Sequence, residues 1–140
     1  MTIDRIDVTI TTASAALSLN AGTDGLVYLG FGGREFRCFT HSRNFRRGTT
    51  DTFTFGESAN ISNPAANDPR HPVIEIPYMD LFPVYLRFDQ DESDHWLLQH
   101  VAMSLNEVAL YESRLGPEGL WMGRDTGTFY HVPRRDPHHH

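Results

Sequence analysis

The chain has 140 residues and a formal charge of -6 at pH 7, and 39% of it is hydrophobic, with nine Phe, five Tyr and two Trp. That length suits one domain able to bury a core without a metal or disulfide staple, and the aromatic content excludes a disordered chain. The acidic balance excludes general nucleic-acid binding, which needs a basic surface, and the lone Cys38 excludes an intrachain disulfide.

Ile6, Val8 and Ile10 alternate with Asp7, Thr9 and Thr11, the period-two pattern of a strand with one buried face. Small and polar residues over 13–24 read as a loop, 26–31 as a second strand, and Gly32-Gly33 as a hairpin turn into a third strand over 34–40. Alternation resumes at 52–55, and the Asn-, Ala- and Pro-rich stretch 56–72 reads as one long irregular loop. Three further strands are predicted at 73–76, 84–88 and 97–105, and Asn106-Glu107 forms a tight turn into another at 108–111. The tail around Trp121, Phe129 and Tyr130 supplies one or two short edge strands. No helical period of useful length interrupts this series, so the prediction is all-β, an antiparallel sandwich of about eight strands. Residues 1–133 read as one domain, and 134–140 as a frayed tail ending in His138, His139 and His140, which have the look of a purification tag.

Nothing approaches the ~20 apolar residues of a membrane-spanning helix. Asp4 and Asp7 stand where a signal peptide would carry basic and then apolar residues, so the sequence predicts a soluble chain. All twelve basic residues are arginine, and charge is segregated along the chain. Arg34, Arg37, Arg43, Arg46 and Arg47 against Glu35 give a local +4, whereas Asp89, Asp91, Glu92 and Asp94 give a local -4.

Three segments carry the strongest signal: 20–28, where Asn20, Gly22, Thr23 and Asp24 precede an apolar strand; 44–53, with Asn44, Phe45, Gly48 and Asp51; and 89–96, ending in Asp94, His95 and Trp96. In that order and spacing they resemble the PLAT domain family, named for polycystin, lipoxygenase and alpha-toxin. The resemblance spans most of the chain and implies an eight-stranded β-sandwich whose loops at one end bind calcium and meet lipid or protein partners.

Carried over by position, the resemblance implies one calcium site from Asn20, the Gly22 carbonyl and Asp94, with the His95 carbonyl beside them, and a neighbouring site from Thr23, Asp24 and Asn44. Calcium-binding relatives often have aspartate where this chain has Asn20 and Asn44, and residues 39–42 lack acidic side chains. Since affinity follows ligand charge, the expectation is one weak or moderate site centred on Asp24 and Asp94. The residues alone admit a second reading, in which Asp24 caps a turn and 89–94 is a solvated hairpin. Phe45, Gly48, Asp51 and Trp96 read as structural.

Leu17 and Leu19, near the tip of the first ligand loop, are candidates for insertion at a lipid interface, and Arg43, Arg46 and Arg47 for phosphate contacts or for pairing with the acidic loop. The nucleophile elbow, the zinc-binding His-Glu-x-x-His and the phosphate-binding glycine loop are all missing from the sequence, so it predicts a binding module rather than an enzyme. The expected function is a stand-alone PLAT-like module that binds calcium and docks on membrane lipid or a protein partner. The alternatives are a calcium-independent protein-interaction module acting on a separate enzyme or toxin and, last, a small hydrolase using His95.

Overall fold

The computed structural model describes residues 1–14, 21–90 and 94–135. Among them nine strands form two antiparallel sheets: β1 (Arg5–Thr12), β2 (Leu26–Phe31), β3 (Arg34–Arg37), β4 (Thr50–Gly56), β5 (Tyr85–Asp89), β6 (His95–Leu105), β7 (Val108–Arg114), β8 (Leu120–Gly123) and β9 (Phe129–His131). One sheet runs β4-β1-β6-β7, with β8 also paired to β6; the other runs β3-β2-β5-β9. The two pack face to face as the predicted sandwich.

Alternation decides the inner faces. Ile6, Val8, Ile10 and Thr12 of β1 are buried, as are Val27, Leu29 and Phe31 of β2 and Leu86 and Phe88 of β5. β6 is long enough to serve both edge strands: His95 to Leu98 pair with β8, and His100 to Leu105 pair with β7. The β2–β3 hairpin turns at Gly32 and Gly33 with φ of 61° and 79°, the two positive values a two-residue turn of this hand requires. Trp96 fills the centre with no exposure; its indole N–H donates to Thr12 Oγ1 at 2.9 Å, and its ring lies edge-on to Phe45 at 5.3 Å. Phe45 and Trp96 are thus core residues, as their structural reading required.

One predicted strand is corrected. Residues 73–76 form no ladder; Val73 and Glu75 make only single bridges, to Arg70 and Thr2, and a 3-10 helix follows at Ile76–Leu81. Pro72 and Pro77 bracket the segment, and a proline lacks the N–H that a continuing ladder needs. The long loop before it is fastened rather than free: it contains a 3-10 turn at Pro64–Asn67, and Arg34 donates to the carbonyls of Asp68, His71 and Pro72. Arg134 and Arg135, assigned by the sequence to the tail, pair with β7: Arg134 bridges Tyr111, and the Arg135 N–H donates to the Leu110 carbonyl.

Candidate functional site

The start of β2, the β3–β4 loop, the end of β5 and the start of β6 meet at one end of the sandwich. Leu26 pairs with Asp89, which sets residues 23–25 beside the exit of β5. The Thr23 N–H donates to the Phe45 carbonyl at 3.0 Å, drawing the β3–β4 loop against the same residues. Gly22 permits that approach, since a Cβ there would fall 2.7 Å from the Phe45 carbonyl oxygen. Across the sandwich, Thr23 Oγ1 accepts from the Gly25 N–H at 2.8 Å and donates to Asp94 Oδ2 at 2.5 Å. Asp24 and Asp94, seventy residues apart, accordingly line one open pocket of about 330 Å³ together with Asp89 and Gln90.

The side chains named from the sequence take different roles there. Asp24 is exposed and forms an ion pair with Arg46 at 2.9 Å. Asn44 is buried, and its amide is consumed by the loop: Oδ1 accepts from the N–H groups of Thr40 and His41 at 2.8 and 3.1 Å, and Nδ2 donates to Asp51 Oδ1 at 3.0 Å. Asp51 also accepts the Phe45 N–H at 2.9 Å, which holds Phe45 at a φ of 61°. The Asn44–Asp51 pair is therefore the clasp that shapes the loop. His95 packs over Gly123, where an added Cβ would lie 2.6 Å from the ring, and no hydrogen bond joins that ring to Asp94. Leu17, Leu19 and Asn20 lie outside the described residues, as do Asp91 and Glu92 of the acidic loop.

The oxygens of Thr23, Asp24 and Asp94 are the hard donors calcium takes. Among the described residues no three His, Cys, Asp or Glu side chains stand close enough to hold a metal ion together. Asp24 faces a guanidinium, Asp94 a hydroxyl, and Asn44 its own loop.

The arginines divide by partner. Arg34 is spent on carbonyls and Arg46 on Asp24, while Arg37, Arg43 and Arg47 are exposed and have no carboxylate partner among the described residues. Elsewhere the pairing is close: Arg87 makes a two-bond contact with Glu35, both bonds 2.8 Å, holding that carboxylate below its usual range, and Arg70 does the same for Asp68. Cys38 is buried, and desolvation pushes its thiol well up, so it is no nucleophile at neutral pH.

A second pocket, of about 230 Å³, lies between the start of β2 and the β3–β4 loop, with Arg37 and His41 among its lining residues. Sequence reasoning counted Arg37 only as charge and left His41 aside. The usable signal was the alternation of Phe36, Arg37 and Cys38, which turns Arg37 outward at the strand's end.

No protein-family model and no curated protein matches the chain. Solved structures do. The alpha-toxin of Clostridium absonum superposes with a TM-score of 0.65 at 20% identity over 94% of this chain and 32% of the toxin. The alpha-toxin of an avian strain of Clostridium perfringens gives 0.65 at 18% over 95% and 32%. A lipoxygenase variant gives 0.58 at 12% over 94% of this chain and 16% of the enzyme. Alpha-toxin and lipoxygenase are two of the proteins for which the PLAT family is named, so the fold is the one the resemblance predicted. The chain spans under a third of the toxins and about a sixth of the lipoxygenase.

Proposed function

We propose that this domain is a non-catalytic docking module that meets a membrane surface through the loop end of its sandwich. The observation that carries the reading is a group of exposed cations there: Arg37, Arg43 and Arg47 lie on one loop and its flanking strand end, without a carboxylate partner among the described residues, in a chain of net charge -6. Near an anionic bilayer each is worth about 1 kcal/mol, and three together on the order of a hundredfold in partition. Phe129, 62% exposed and lining a depression beside Asp89 and Gln90, adds apolar contact at the same end. The alpha-toxin and lipoxygenase neighbours support the reading at the level of fold.

Asp89 and Asp94 oppose it, for they repel an anionic surface from the other half of the same end. The basic half therefore makes the contact, and the reading routes no step through a metal ion. The test is co-sedimentation with phosphatidylcholine vesicles with and without phosphatidylserine, in chelator and in calcium. Binding that needs the anionic lipid, persists in chelator and weakens with Arg43→Glu supports the reading, and equal indifference to both vesicles refutes it.

A specific observation favours a second reading, docking on a protein. In the 3-10 helix Ile76–Leu81, side chains three apart eclipse, so Ile76 and Met79 face inward while Tyr78 and Leu81, 59% and 71% exposed, share the outer face. That face lies at the end of the sandwich away from the arginines, beside the β2–β3 turn, where the Phe82 ring approaches Gly33.

A further inference from the structure

We propose that the 230 Å³ pocket between the start of β2 and the β3–β4 loop is a binding site for one phosphate-bearing lipid headgroup, with Arg37 and His41 as its anion contacts. The inference rests on the membrane-docking reading and names the chemistry that the basic end takes up.

Size comes first. The volume is below the ~300–1,000 Å³ of pockets for drug-sized ligands, which suits a headgroup. Leu26, Val27, Phe39 and Phe45 give it apolar walls fit for the glycerol carbons beside a phosphate.

Charge chooses the sign of the ligand. The Arg37 guanidinium stacks over the Phe39 ring at 4.7 Å and has no carboxylate partner among the described residues, so its planar N–H edge is held ready and unspent. His41 Nδ1 accepts the Arg43 N–H at 3.1 Å. The hydrogen of a neutral ring therefore sits on Nε2, which donates in either protonation state. Asp24, the carboxylate among the lining residues, is paired with Arg46 at 2.9 Å. Asn44 is turned into its own loop and does not compete. What remains is an apolar recess with two cationic or donor groups and, among its described lining residues, no carboxylate other than the paired Asp24, to which a phosphate is complementary.

The experiment is a calorimetric titration with a water-soluble short-chain phosphatidic acid and with inorganic phosphate, alongside vesicle co-sedimentation, for wild type, Arg37→Gln, His41→Gln and, as a control at the other end of the sandwich, Arg134→Gln. The short-chain lipid is expected to bind more tightly than inorganic phosphate, with a loss of about tenfold in each of the first two variants and none in the third. Unchanged titrations in Arg37→Gln and His41→Gln overturn the assignment even where vesicle binding persists, and equal affinity for free phosphate overturns the lipid headgroup as occupant. Short-chain binding that depends on Arg37 without any vesicle binding upholds the pocket and refutes membrane docking alone. Unaltered circular dichroism spectra for these exposed substitutions separate lost contact from lost fold.

Discussion

The Arg46 guanidinium stands 2.9 Å from the Asp24 carboxylate, tying the β3–β4 loop to the start of β2 and giving Asp24 the counter-ion that a cation would otherwise provide. Both side chains are largely exposed, at 46% and 79%, so the pair adds well under ~1 kcal/mol to stability. Its consequence is for ligands: Arg46 and a metal ion compete for the same carboxylate.

Removing that competitor should change metal affinity. Arg46→Gln is expected to bind calcium more tightly than wild type, by a few-fold at ordinary ionic strength, while the melting temperature moves little. A paired calorimetric calcium titration checks this. Equal affinities would mean that Asp24 is not part of any cation site.

The clasp beneath the arginines is Asp51. Asp51→Ala removes one of the two acceptors of the Asn44 Nδ2 group and the acceptor of the Phe45 N–H, both in buried residues, and should cost about 1–3 kcal/mol in denaturant unfolding. Because the same loop carries His41 and Arg43, vesicle binding should fall along with stability.

Charge on the acidic half limits docking. Asp89 is 57% exposed, and its carboxylate lies 3.8 Å from Arg87, too far for a strong bond. Asp89→Asn is expected to raise affinity for phosphatidylserine vesicles by about fivefold, on the order of 1 kcal/mol for one charge near the surface, with the gain vanishing in high salt. A gain that survives high salt would point away from electrostatics.

In the core, Thr12→Val leaves the Trp96 indole N–H buried without an acceptor and should destabilise the fold by about 1–3 kcal/mol. Trp96→Phe in the Thr12→Val background should then cost less than the same change in wild type, since the orphaned donor is removed with the indole. A double-mutant cycle measured by thermal unfolding reads the coupling.

Acid sensitivity should map onto paired carboxylates. Arg70 holds Asp68 below the ordinary carboxylate value, so its contribution is complete above that value and is lost as pH falls through the depressed one. Asp68→Asn is therefore expected to be less stable than wild type at pH 7, with the gap closing below about pH 3.5. Urea unfolding at both pH values tests it; a constant gap would assign the effect to the neutral hydrogen bonds of Asp68.

Which strands exist was largely legible in the chain, because side-chain period is a local property. Ile6, Val8 and Ile10 announce β1, and Gly32-Gly33 announces the hairpin that joins β2 to β3. The failure at 73–76 is equally local in cause: its apolar residues read as a strand, whereas the flanking Pro72 and Pro77 lack the N–H groups that a ladder needs. Three separated segments also carried enough of the PLAT pattern to predict the fold, in which they meet at one end of the sandwich.

The partners at that end were not legible. The sequence supplied Asp24, Asn44, Asp94 and a run of arginines as donors and charges. Tertiary packing decided that Asn44 turns inward to Thr40 and Asp51, that Asp24 meets Arg46, and that Arg37 and His41 share a recess with the first turn of β2. The physical reason is range: alternation is set between neighbouring residues, whereas a long arginine finds its carboxylate, or fails to find one, only after the two sheets have packed and brought three distant loops within a few ångströms of one another.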